Sequence, residues 1–146
     1  MTTITRRLEW DSGHRVLGYA GRCRHIHGHR YSAEITVRSP ELNALGMIVD
    51  FGVIKARVGK WIDDNWDHNL LLNREDSQLS HFMKTEERKP FIMPDGNPTA
   101  ENIAEVLFTQ AVYLLPIGLE IVRVRIYETP SCWADYYGGE NHAGIE

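Results

Sequence analysis

The sequence predicts an α+β domain, an antiparallel sheet carrying two helices on one face. Three observations predict it. Apolar residues alternate with period two in four stretches and recur at helical spacing in two others. The helical pair falls between two strand pairs, giving the order strand, strand, helix, helix, strand, strand. The chain has 146 residues, a length that suits one domain over residues 1–146.

Thr3 to Asp11 alternates, with Ile4, Arg6, Leu8 and Trp10 on one side, and predicts the first strand. Gly13 to Arg22 reads as a loop punctuated by Gly13, Gly18 and Gly21. Tyr31 to Val37 is a half-buried strand, with Tyr31, Ala33, Ile35 and Val37 on one face; Ser39-Pro40 ends it. Met47 to Phe51 reads as a short extended piece. From about Gly52 to Asn65 the period changes: Ile54, Val58, Trp61 and Ile62 fall at i, i+4, i+7 and i+8. The second helix spans roughly Thr99 to Leu115, with Ile103, Leu107, Ala111 and Leu114 as its stripe. Pro98 suits a helix start, Asn97 or Thr99 can cap it, and Pro116-Ile117-Gly118 stops it. Glu120 to Glu128 alternates again, with Ile121, Val122, Val124 and Ile126 against Arg123, Arg125 and Tyr127. Ser131 to Tyr137 is the last expected strand. Between the helices, about 74–97 is a polar insertion with a helical turn near Leu79 to Met83. Open sheet edges need cover, and oligomerisation is one way to supply it.

Hydrophobic residues make up 42% and charged residues 25%, a globular balance. A net charge of −4 with scattered basic residues argues against a nucleic-acid partner. The longest apolar stretch, Ala111 to Leu115, is far too short for a membrane span, and the N-terminus lacks a signal-peptide core. The expected location is the cytoplasm. There Cys23 and Cys132 are expected as free thiols rather than a disulfide.

The stretch CRHIHGHRY, Cys23 to Tyr31, concentrates a thiol and three imidazoles. His27 and His29 lead into a strand, where residues two apart share a face and can reach one ion. Gly28 between them permits close approach. A third ligand has to come from elsewhere: His14 is the best candidate and His25 competes. Cys23 is either a ligand itself or a thiol activated as base or nucleophile by a nearby cation. Trp66-Asp67-His68-Asn69 reads as a turn or as an acid/base pair. Thr99 and Glu101 open a helix, where a carboxylate is favoured electrostatically. Glu128 ends a strand.

Taken in order, SGHR, CRHIHGH, IVDF, WDHNLLLN, NPTAEN and YETPS resemble the 6-pyruvoyl-tetrahydropterin synthase family over nearly the whole chain. The resemblance implies the tunnelling fold, ββααββ units whose sheets join into a barrel around a symmetric homo-oligomer, usually a hexamer. It implies Zn2+ on His14, His27 and His29, Cys23 as general base, and Asp67 with His68 as an acid/base relay. It also implies that Glu128 anchors the pterin and that Thr99, Ala100 and Glu101 line its pocket. The three residues between Cys23 and His27 resemble the carboxy-forming branch. That branch is a zinc-dependent carbon–carbon lyase. It takes 7,8-dihydroneopterin triphosphate to 6-carboxy-5,6,7,8-tetrahydropterin in queuosine biosynthesis, with loss of triphosphate and acetaldehyde. The pyruvoyl-forming branch and a non-catalytic zinc-binding module are the alternatives. Arg15, Arg22, Lys55 and Arg125 are candidates to hold the triphosphate. The chain departs from the family at Ser12-Gly13, where two alanines are usual, and in the long insertion.

Overall fold

The structure, a computed structural model, describes residues 1–138; residues 139–146, the end of the expected domain, lie outside the described residues. In chain order the elements are β1 (Thr3–His14), a 3₁₀ turn (Arg22–Arg24), β2 (His27–Arg38), α1 (Phe51–Ile54), a π segment (Lys55–Gly59), α2 (Lys60–Asn65) and β3 (Asn69–Leu72). They continue with α3 (Ser77–Phe82), a 3₁₀ turn (Met83–Thr85), β4 (Phe91–Ile92), α4 (Ala100–Leu114), β5 (Glu120–Thr129) and β6 (Cys132–Tyr137).

One six-stranded sheet has the order β4-β3-β1-β2-β5-β6. β1, β2, β5 and β6 are antiparallel, but β3 runs parallel to β1 and β4 parallel to β3. The sheet is therefore mixed, which corrects the purely antiparallel expectation. The physical reason is the helical run 51–65, which crosses over the sheet and returns the chain beside β1 in the same direction. Met47 to Asp50 forms no strand; Asp50 instead caps α1, its Oδ1 accepting from Gly52 N–H at 2.6 Å.

The β1–β2 hairpin is the spine. Its ladder runs from Thr3 opposite Arg38 to His14 opposite His27, so both strands extend further toward the connecting loop than alternation alone predicts. The inner face of β2, Tyr31, Ala33, Ile35 and Val37, is fully buried beneath the helices. Val124 and Ile126 of β5 extend the same face. Alternation in β5 breaks at Val122, where the register slips: Thr36 pairs with Arg123 but Val37 with Ile121. This β-bulge keeps Ile121 facing the core.

The helical run 51–65 buries Ile54, Val58 and Ile62, each worth roughly 1.5–3 kcal/mol of transfer free energy. Trp66 follows on the same stripe and packs on Trp10 at 5.4 Å between ring centres. α4 buries Ile103, Ala104, Leu107, Phe108 and Ala111 against the same core. Its cap is Thr99, whose hydroxyl accepts from Asn102 N–H at 3.3 Å. No helix among the described residues is long and apolar enough to cross a membrane.

Candidate functional site

The hairpin register brings three imidazoles together. His14 lies opposite His27, and His29 is two residues further along the same face. Ring centres are 4.6 Å apart for His14–His27, 5.1 Å for His14–His29 and 5.0 Å for His27–His29. One ring nitrogen from each lies within 4.8 Å of the others. Tyr31 supports the cluster from below, edge-on to His29 at 5.4 Å and stacked on Trp10 at 5.3 Å.

The tautomers follow from the partners. His14 Nδ1 donates to the Pro98 carbonyl at 2.6 Å, and His27 Nδ1 donates to the His25 carbonyl at 2.7 Å. A carbonyl only accepts, so both Nδ1 atoms carry hydrogen and, in the neutral ring, each Nε2 presents a lone pair. Those Nε2 atoms are 3.1 Å apart. Two lone pairs at that distance repel unless a cation lies between them. His29 Nε2 is buried without a hydrogen-bond partner; Glu128 Oε1 stands 3.5 Å away. Burial pushes the pKa of His14 and of His29 down, which keeps both imidazoles neutral. Two nitrogens on a tetrahedral zinc sit roughly 3.3 Å apart, each at about 2.0–2.1 Å from the ion. The donor set therefore fits zinc, with the outer Nδ1 of His14 and of His27 each held by a carbonyl in the manner of metal-ligating histidines. His25 is outside this cluster: it is exposed, and its ring accepts from Arg24 Nε at 3.3 Å.

Beside the triad is a cavity of about 470 Å³, lined by His14, Cys23, Thr99, Ala100, Glu101 and Glu128 among others. Cys23 sits half-buried on the 3₁₀ turn, and it and Cys132 are free thiols. The residues proposed for pterin contact thus share one cavity with the thiol.

Asp67 and His68 are not in that cavity. They follow α2 at the end of β1, bracing Asp11: Asp67 Oδ1 accepts from Asp11 N–H at 3.0 Å, and His68 N–H donates to the Asp11 carbonyl at 2.7 Å. His68 holds left-handed backbone, φ 55°. Its Nδ1 lies 2.9 Å from Asp67 Oδ2, which leaves Nε2 outward on a side chain 75% exposed. Burial alone pushes the Asp67 carboxyl up, but the Asp11 N–H and His68 outweigh it and hold it below the usual range. His68 borders another cavity, of about 750 Å³, with Asp11, Gly13, Gly28, His29 of the triad, Arg30 and Arg88 in its wall.

The small residues at the departure from the family have local reasons. The buried Ser12 hydroxyl donates to the Trp66 carbonyl at 2.5 Å, tying β1 to the end of α2. A Cβ at Gly13 would meet Leu70 at 2.7 Å, and one at Gly28 would meet the Ser12 carbonyl oxygen at 3.2 Å. Of the triphosphate candidates, Arg15 is committed to Asp76 and Arg125 to Asp135, each through two hydrogen bonds. Lys55 borders a different cavity, on the side of β1 with Arg6 and Arg30. Arg22 is exposed beside Cys23. Sequence reasoning misses the carbonyls of Pro98 and His25, because a backbone oxygen has no side-chain signature.

Comparison with known proteins finds relatives over most of the chain. A protein of Rickettsia felis named 6-carboxy-5,6,7,8-tetrahydropterin synthase is 38% identical, covering 92% of this chain and 99% of its own. One of the same name from Haemophilus influenzae is 30% identical, covering 93% and 99%. The fold matches that of Caenorhabditis elegans 6-pyruvoyl tetrahydropterin synthase with a TM-score of 0.67 at 23% identity, over 94% of this chain and 96% of that one. The family model described as 6-pyruvoyl tetrahydropterin synthase matches residues 3–139, a span that takes in the triad, the thiol, Asp67, Glu101 and Glu128. With sequence, fold and model in agreement over that span, the chain belongs to the 6-pyruvoyl tetrahydropterin synthase family.

Proposed function

We propose that the protein catalyses the zinc-dependent conversion of 7,8-dihydroneopterin triphosphate to 6-carboxy-5,6,7,8-tetrahydropterin, releasing triphosphate and acetaldehyde, in queuosine biosynthesis. The observation that carries this reading is the histidine triad opening beside a cavity that also holds Cys23, Thr99, Glu101 and Glu128. The names of the relatives support the carboxy product.

Zinc on His14, His27 and His29 would supply Lewis acidity toward the hydroxyls of the substrate side chain. Glu128 suits the guanidine-like edge of a pterin, whose adjacent N–H donors a carboxylate can accept as it would from arginine. Cys23 acts as the base that takes a proton from the side chain. His68, its Nδ1 held by Asp67, keeps Nε2 for moving a proton at the opposite side.

Within one chain, Cys23 and His68 border different cavities. A meeting of copies of the chain would bring both to one substrate. The sheet has edges for such a meeting. Among the described residues, β3 covers β1 only over Ser12–His14, leaving the outer edge of Thr3–Glu9 open, and β6 has β5 as its sole neighbour. A symmetric homo-oligomer, with sheets joined edge to edge into a barrel and the hexamer as the family's usual form, is the proposed assembly.

The test is product analysis: zinc-loaded protein, 7,8-dihydroneopterin triphosphate, and mass spectrometry of the pterin formed. The 6-carboxy product with acetaldehyde is expected. A pyruvoyl product would move the protein to the neighbouring branch, and unchanged substrate with zinc bound would overturn the proposal.

A further inference from the structure

We infer that Asn97 is a positioning residue that fixes the segment carrying Cys23 against the start of α4, and so sets Cys23 relative to the histidine triad. Its bearing on catalysis rests on Cys23 being the base.

Asn97 does not cap α4; Thr99 does. The Asn97 side-chain amide lies against the backbone of Leu17, Nδ2 donating to the Leu17 carbonyl at 3.0 Å and Oδ1 accepting from Leu17 N–H at 2.9 Å. This reciprocal pair is what a neighbouring strand would provide, supplied here by a side chain. The amide is itself held. Asn73 Nδ2 donates to its Oδ1 at 3.0 Å, and the Asn97 carbonyl accepts from Asn102 Nδ2 and Thr99 N–H, both at 2.8 Å. On the far side of the contact, Val16 N–H donates to the Cys23 carbonyl at 2.8 Å, which brings Cys23 beside the clamped residue.

Among the described residues, the hydrogen bonds joining segment 16–26 to any part of the chain past His27 are the two from Leu17 to Asn97. The next residue, Pro98, gives its carbonyl to His14 Nδ1. Two consecutive residues thus register the thiol and the triad to one point of the fold. The position calls for an amide. Aspartate would set an acceptor against the Leu17 carbonyl, and alanine would leave both Leu17 groups unpaired.

The test compares the parent with Asn97→Ala and with Asn97→Asp, which fills the same space. Four quantities are read: amide hydrogen exchange over residues 16–24, the pH profile of Cys23 alkylation by iodoacetamide located by peptide mass spectrometry, zinc content, and steady-state turnover. In both variants exchange is expected to rise about tenfold or more as the segment opens locally. The Cys23 alkylation profile should shift while zinc stays at the parent level. Turnover should show kcat down about 100-fold with a smaller change in KM, the scale of a misplaced reacting group. Parent-like exchange and alkylation would overturn the inference however low turnover falls, and so would loss of zinc together with turnover. Should Asn97→Ala fail to fold, Asn97→Asp carries the same expectation. If the parent itself leaves the pterin unchanged, the proposed function falls while exchange and alkylation still decide the clamp.

Discussion

His25 holds His27 by its backbone: the His25 carbonyl accepts from His27 Nδ1 at 2.7 Å while the His25 ring is turned to Arg24. Substitution separates the two roles. His27→Ala removes a proposed ligand, and bound zinc should fall to background after dialysis against a weak chelator. His25→Ala keeps the carbonyl, and its zinc affinity should stay within about tenfold of the parent, the lower bound for losing an outer-shell partner. Metal content by atomic emission reads both. Zinc lost from His25→Ala but kept in His27→Ala would reverse the ligand assignment.

Cys23→Ser should lower kcat by roughly 10²–10⁴-fold, the usual contribution of a general base, with zinc content unchanged. Cys132→Ser should keep most of the turnover, because Cys132 is an exposed strand-start residue. Single-turnover kinetics on the two variants distinguishes them. Equal losses would remove Cys23 from its role as the base.

A shared site predicts complementation. Cys23→Ala and His68→Ala should each be inactive alone. Mixed after dissociation and reassembled, they should recover about a quarter of parental activity, the statistical share of sites with both groups intact in a randomly mixed symmetric oligomer. No recovery from verified mixed oligomers would place both groups in one chain or leave His68 outside the reaction.

Asp76 anchors the insertion. Arg15 Nε and Nη2 each donate to it at 2.6 Å, and its Oδ1 also accepts from Leu79 N–H at 3.1 Å as the cap of α3. The Arg15 guanidinium holds the Asp76 carboxyl below the usual carboxylate range despite burial. Asp76→Ala should cost about 2–4 kcal/mol, between the loss of a cap and the breaking of a buried pair. Because the folded pKa is depressed, this stability is complete above the ordinary value of 3.8 and is lost as pH falls through the lower folded value. Urea melts should therefore separate parent and variant at neutral pH and converge in strong acid. Curves that stay parallel into acid would show that the carboxylate charge is not the source.

What the sequence reveals depends on which residues have a face to declare. β1 and β2 each carry their large apolar residues on one face, so Leu8, Trp10, Tyr31 and Ile35 announce their parity, and that parity puts His14, His27 and His29 together. The strand β3 hides inside WDHNLLLN because Asn69–Leu72 is too short for a period and both Leu71 and Leu72 are buried. β4 is only two residues long, and its place follows from β3. At the site, side-chain ligands are legible while their orienting carbonyls are not. Asn97 reads, beside Thr99, as one of two possible helix caps; only its distance to Leu17 reveals the clamp. The separation of His68 from Cys23 is a matter of sheet geometry that motif order cannot express.

The π segment Lys55–Gly59 adds one more consequence. Ile54, Val58, Ile62 and Trp66 are buried at an interval of four residues, yet in an unbroken α-helix twelve residues would leave the last roughly 120° around from the first. The wide turn absorbs about one residue of that drift. Regularising that turn into α geometry with all its residues kept would swing everything after it by roughly 100°. Trp66 would leave Trp10, and the Asp67–His68 pair would lose its grip on Asp11. A substitution that regularised this turn, barely visible in percent identity, would thus redirect the proposed proton relay while leaving every one of its chemical groups intact.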